Sequence, residues 1–150
     1  MTGVVRKVII IGSGPAGYTA GLYSARALLE PLMFAGYMSG GQLMLTSDIE
    51  NFPGYPQGIG GPEMMMELRE QAERFGLEVQ DKNVERVDLN SRPYGVWVEG
   101  EEYRAESIII CTGAVYKFLE DECAKYLEGR VHSASTPLDV EFLNAVDVIE

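Results

Sequence analysis

Near the start of the chain, Lys7 to Ile11 is a short β-branched run, the pattern of a strand buried on both faces. The run ends at Gly12. Pro15, whose fixed φ suits the first position of a helix, then opens a segment from Ala16 to Leu29 that carries Ala20, Tyr23 and Ala27 at helical spacing. A second strand, Leu32 to Ala35, follows Pro31 directly, so the first 35 residues predict a β-α-β unit with parallel strands. From Gly36 to Gly61 the chain is rich in Gly, Pro, Ser and Asn without a lasting period and reads as a loop, longer than an ordinary connection. A helix begins at Pro62 with an apolar stripe of Met65, Leu68, Ala72 and Phe75, and Gly76 stands where a C′ glycine would close it. The cluster Met64, Met65 and Met66 is assigned to the core. Short alternating strands follow at Leu77 to Val79, Val84 to Leu89, Tyr94 to Val98, Tyr103 to Ala105 and Ser107 to Cys111, with turns at Arg92-Pro93 and Glu99-Gly100. They predict an antiparallel meander inserted before a last parallel strand, with Glu99, Glu101, Glu102 and Glu106 on a solvated face.

Between the first strand and the first helix the sequence is GSGPAG, with Gly12, Gly14 and Gly17 in GxGxxG spacing. In a β-α-β unit the three glycines serve a tight turn, a close backbone approach to a pyrophosphate and close packing of helix on strand, while the helix N-terminus supplies positive potential. Dinucleotide binding is the expected chemistry. The acid that normally ends the second strand, about 20 residues on, accepts hydrogen bonds from ribose hydroxyls. Here that position is Ala35, which weakens the anchor and removes the usual argument for one dinucleotide over another.

Composition adds exclusions. The 150 residues, 46% hydrophobic, are enough for one domain with a real core, and 12 basic against 23 acidic side chains leave a net charge of -11 that argues against nucleic acid and anionic membranes. No apolar run reaches the roughly 18 residues of a membrane span. The expectation is a soluble protein of a reducing compartment, the cytoplasm or an organelle matrix or stroma. Cys111 and Cys123 match no metal spacing.

Four stretches in order, GSGPAGYTAGLYSARA, SGGQL, DIENFPG and IIICTGA, are more specific than a glycine turn. Together they resemble the N-terminal part of the FAD domain of the low-molecular-weight, NADPH-dependent thioredoxin reductases, over residues 6–114. The resemblance implies a Rossmann-like α/β domain over residues 1–114, with a parallel sheet and an inserted antiparallel meander, incomplete relative to the family. It implies FAD as cofactor, the turn of Gly12, Ser13, Gly14, Pro15, Ala16 and Gly17 on the pyrophosphate, and Gly41, Gln42 and Leu43 along the cofactor. Asn51 would face the flavin and ribityl end, Val84 would border the adenine, and Thr112 and Gly113 would close over the cofactor.

Residues 115–150 would then cross toward an NADPH domain. Laid on the family pattern, Gly129-Arg130, Ser133-Ala134 and Asp139 fall on matching positions, and Ser135 and Leu138 occupy those of the two redox cysteines. Neither can form a disulfide, so dithiol exchange by this chain alone is not expected. Asp147 to Glu150 fall where the next strand would lead to an NADPH turn, which lies beyond the sequence, as does the family's later GD segment. His132, Ser133, Ser135 and Asp139 are too close in sequence for a hydrolase triad. Leu119, Cys123, Tyr126 and Leu127 share one helical stripe. Three readings remain open: a flavoprotein module with electron partners on another chain, a catalytically inactive relative serving as a docking subunit of a larger assembly, and a truncated reductase. The first two require another protein chain as partner.

Overall fold

The computed structural model describes residues 4–114. The elements are β1 (Val5–Ile11), α1 (Pro15–Arg26), β2 (Leu32–Phe34), a 3-10 turn (Gly41–Leu45), α2 (Gly61–Arg74), β3 (Glu78–Gln80), β4 (Arg86–Asp88), β5 (Tyr94–Val98) and β6 (Glu101–Ile110). They build one sheet in the order β3-β2-β1-β6-β5-β4. β3, β2, β1 and β6 run parallel, and β6, β5 and β4 are antiparallel. This is the expected α/β architecture, a Rossmann-like parallel sheet carrying a meander. The expectations for Ser135, Leu138, Asp139 and the segment 115–150 lie outside the described residues.

The apolar run of β1 is continuous because both faces of the strand are covered. Val8 and Ile10 pack with Tyr18, Met33, Met65, Ala72 and Leu77 under the helices. Ile9 and Ile11 pack on the other face with Leu32, Phe34, Val96, Val98 and Ala105, the last three from the antiparallel half. Ile9 and Ile10 have no exposed surface, and burying each contributes about 1.5–3 kcal/mol.

Several expected details are corrected by the packing. α1 buries Gly17, Tyr18, Gly21, Ser24 and Ala25, whereas Tyr23 is 64% exposed and Ala27 lies past the helix end. The helix turns its small residues inward because it sits so close to its neighbours. A Cβ at Gly21 would lie 2.6 Å from a methyl of Leu77. α1 also stops at Arg26, not Leu29. Leu28 adopts φ 58, and the amides of Leu28 and Leu29 donate to the carbonyls of Ala25 and Ser24, a Schellman ending built without glycine. α2 ends the same way with the expected residue: Gly76 has φ 105, and Gly76 and Leu77 donate to Glu73 and Ala72. Within α2, Met64 and Met65 are buried but Met66 is 63% exposed. Phe75 is exposed too, its ring lying between Arg26 and Arg74, whose guanidinium carbons are 5.6 and 5.1 Å from the ring centroid.

Three non-local pairings also differ from the strand pattern. β3 joins the parallel sheet beside β2 rather than the meander. The two strands expected at residues 103–105 and 107–111 are a single strand, β6, which pairs with β5 over residues 101–105 and with β1 over residues 104–110. The long loop is tied across by a bridge between Ile49 and Ile59.

Candidate nucleotide-binding site

The turn after β1 occupies the carboxyl end of the parallel strands, where open α/β sheets bind their ligands. Each glycine meets a different constraint. Gly12 has φ 105, and a Cβ there would sit 2.2 Å from the Cys111 carbonyl oxygen at the end of β6. A Cβ at Gly17 would sit 2.1 Å from the carbonyl oxygen of Gly12, so α1 lies directly on the turn. Gly14, the N-cap of α1, has an ordinary φ of -70, and a Cβ there would touch nothing within 4 Å. Packing explains Gly12 and Gly17 but leaves Gly14 unexplained. The helix N-terminus behind it carries partial positive charge and carries no acidic side chain in its first turn.

Ser13 joins this turn to the rest of the site. Its side chain is buried, and its Oγ donates to the Ala35 carbonyl at 2.8 Å while accepting the Gly40 amide at 2.9 Å. One hydroxyl thus ties the ends of β1 and β2 to the second glycine turn. Gly40 and Gly41 have φ 98 and 66, and a Cβ at Gly41 would be 3.6 Å from the Gly14 Cα. The two glycine turns therefore face each other at close range. A further tie comes from below, where Arg69 of α2 holds Asp81 through two hydrogen bonds of 2.9 Å. The Arg69 guanidinium holds the Asp81 carboxyl below its usual range, with a hydrogen bond from Ser39 acting in the same direction.

Beside the turn a cavity of about 290 Å³ opens at the ends of β1, β2 and β6, lined by Ile11, Gly12 and Thr112, by residues 34–36 and by residues 82–84. It gathers three expected site residues, Gly12, Val84 and Thr112. Pro15 and Ala16 start α1, with Ala16 exposed. Leu43 packs against the helix-covered core, Gln42 is half-buried in the 3-10 turn, Asn51 is exposed on the long loop, and Gly113 is exposed with φ 69. Ala35 is 6% exposed and joins the core, so no carboxylate replaces the missing acid at that position.

Lys82, Asn83, Tyr37 and Glu99 were not expected here. The Asn83 Oδ1 accepts the Tyr37 amide at 3.0 Å, Lys82 Nζ pairs with Glu99 at 2.8 Å, and the Tyr37 hydroxyl donates to Glu99 at 3.1 Å. Glu99 is exposed, in keeping with a solvated face, and no local signal brings it to Lys82, 17 residues earlier, because the β5–β6 turn is placed by strand pairing. Ser13 was expected in this turn, but its hydrogen bonds to Ala35 and Gly40 join residues too far apart in sequence to be read from it.

Other chemistry is not assembled. Burial pushes the Cys111 thiol up, which keeps it protonated at neutral pH and a poor nucleophile. Among the described residues, no group of three or more His, Cys, Asp and Glu side chains converges as a metal site, and no helix is long and apolar enough to cross a membrane.

A family model described as pyridine nucleotide-disulphide oxidoreductase matches residues 6–148. The chain belongs to that family. Within the pyridine nucleotide-disulphide oxidoreductases it is similar to the thioredoxin reductases, as the four motifs implied. It is 52% identical over 121 residues to thioredoxin reductase of Dictyostelium discoideum, covering 75% of this chain and 38% of that protein. With thioredoxin reductase of Rickettsia felis it shares 43% identity over 147 residues, 97% of this chain and 47% of that one. The crystal structure of Lactococcus lactis thioredoxin reductase superposes with a TM-score of 0.72 at 40% identity, covering 77% of this chain and 38% of that chain. The chain thus spans less than half the length of these relatives.

Proposed function

We propose that this chain binds FAD as the flavin-binding part of a thioredoxin-reductase-like oxidoreductase. The observation that carries the reading is Gly14, a glycine that neither backbone conformation nor packing requires, set at a helix N-terminus opposite a second glycine turn. A pyrophosphate needs that unobstructed approach. On this reading residues 12–17 hold the pyrophosphate, Val84 and the adjoining cavity take the adenosine end, and Gly41, Gln42 and Leu43 run along the cofactor. Asn51 stands toward the flavin and ribityl end, and Thr112 and Gly113 close the site. FAD supplies the two-electron chemistry when bound; the protein's residues bind and orient it.

The direct test is titration of flavin-stripped protein with FAD, followed by the change in visible flavin absorbance and fluorescence. Saturable uptake with one FAD per chain is expected. A folded protein that takes up no FAD overturns the reading.

With Ser135 and Leu138 at the positions of the family's redox cysteines, the chain performs no dithiol exchange by itself and depends on another chain for electron transfer. Light scattering of the native protein showing an assembly larger than one chain is expected.

A further inference from the structure

A closed circuit of hydrogen bonds runs around the two glycine turns. The Ala35 amide donates to the Gln80 carbonyl at 2.8 Å, and the Ala35 carbonyl accepts from Ser13 Oγ, which itself accepts the Gly40 amide. Ser39, next to Gly40, hydrogen-bonds the Asp81 carboxylate, and Asp81 follows Gln80 in the chain, which closes the ring. Asp81 is the centre of a tight turn in which the Lys82 amide donates to the Gln80 carbonyl at 2.9 Å, while the Lys82 carbonyl accepts the Gly36 amide at 3.1 Å. The same stretch supplies residues 82–84 to the cavity wall.

Arg69 fastens this ring to α2. Its two terminal nitrogens each donate to an Asp81 carboxylate oxygen at 2.9 Å, and its Nε donates to Glu73 at 2.9 Å, so the planar guanidinium is fixed in one orientation. The start of α2 borders the same glycine turn directly, because a Cβ at Gly61 would lie 1.9 Å from the Leu43 carbonyl oxygen. The helix therefore meets the segment 39–45 at two points, by backbone at Gly61 and through Asp81 at Ser39. The Arg69 and Asp81 side chains keep 31% and 50% of their surface exposed, and ion pairs this accessible contribute little to folding. What the fork does fix is position, since it joins a helix to the one carboxylate in the ring.

We infer that Arg69 is a positioning residue for the nucleotide site, acting through Asp81 and Ser39 to hold the second glycine turn opposite Gly14 before the ligand arrives. Without the fork the ring is free to open at Asp81, and the ligand must order Ser39 and Gly40 as it binds. The apparent affinity then falls with the fraction of molecules already in the binding arrangement. The inference rests on the FAD reading, because it concerns the same turns, but the two can fail separately.

The test is FAD titration of the full chain freed of flavin, with urea unfolding of each variant alongside. Arg69→Met, which keeps an aliphatic stem and removes the fork, should weaken FAD about tenfold while moving the unfolding midpoint little. Glu73→Gln removes the other partner of Arg69 and leaves the fork, so its FAD affinity should stay within about twofold of wild type. Ser39→Ala cuts the ring on the loop side without touching α2 and should also weaken FAD. Combined with Arg69→Met it should add no further loss, because both substitutions break one circuit. FAD affinity within about threefold of wild type in folded Arg69→Met protein overturns the inference and leaves the FAD reading standing. Full additivity of Arg69→Met and Ser39→Ala, or an equal loss from Glu73→Gln, overturns it too. Should Arg69→Met not fold, Ser39→Ala decides, and an unchanged FAD affinity there sinks the inference. If folded wild-type protein takes up no FAD, both fall together.

Discussion

Gly14→Ala separates a glycine kept for a ligand from one kept for the fold. The backbone at Gly14, φ -70 and ψ -177, is open to alanine, and the added methyl would meet no protein atom within 4 Å. Alanine is a poorer N-cap than glycine, so the folding cost should stay below about 1 kcal/mol. The methyl would instead stand where a pyrophosphate approaches the helix N-terminus. Displacing the ligand from one amide there removes a hydrogen bond to a charged group, about 1.5–3 kcal/mol, which is roughly a 10- to 100-fold loss of FAD affinity. Gly17→Ala provides the contrast, because its methyl would lie 2.1 Å from the Gly12 carbonyl oxygen and α1 would have to shift, a cost of about 1–3 kcal/mol. Urea unfolding and FAD titration of both variants give the comparison. Gly14→Ala should lower the unfolding midpoint less than Gly17→Ala does while losing FAD, and Gly17→Ala should lose stability. FAD affinity within about threefold of wild type in a folded Gly14→Ala protein would refute the argument that the turn carries the cofactor's diphosphate.

Other expectations follow from the ties around the turn. Ser13→Ala removes both hydrogen bonds of a buried hydroxyl, leaving the Ala35 carbonyl and the Gly40 amide to find other partners, and should lower stability in urea by about 1–3 kcal/mol. Gly61→Ala would place a methyl 1.9 Å from the Leu43 carbonyl oxygen and 2.6 Å from that of Thr46, so it should destabilise the protein more than Gly14→Ala does in the same assay. Asp81 is held below its usual range by Arg69, so its folded form favours the charged carboxylate. The stability it contributes is fully present above the unfolded carboxylate value of about 4 and is lost as pH falls through the folded value. The gap in urea midpoint between wild type and Asp81→Asn should therefore be larger at neutral pH than in acid, and a gap that widens in acid would contradict the pairing.

Local pattern carried most of the parallel half of the fold and part of the site. The β1–α1–β2 unit, the glycine turn between β1 and α1, and Gly76 at the end of α2 are each specified within a few residues: an apolar run, a proline or glycine with a restricted or permissive backbone, and a stripe at helical spacing. The misreadings have a common origin in distance along the chain. Phe75 fits the apolar stripe of α2, but Arg26 from α1 reaches its ring and the side chain stays at the surface. Tyr23 fits a helical stripe too, yet two glycines let the opposite face of α1 lie closest to the sheet.

What the sequence determined by itself was the glycine turn and its place before the first helix, since backbone freedom at glycine and the start of a helix at proline are local properties. Only the tertiary structure decided the surroundings of that turn. The choice of β2 as partner for β3, the fusion of two short runs into β6, the bridge from Ser13 to Gly40, and the meeting of Lys82 with Glu99 all depend on strand register, which brings together residues whose separation in sequence leaves no periodic trace. The missing acid at Ala35 was legible from the sequence; the pairing of Lys82 with Glu99 was not.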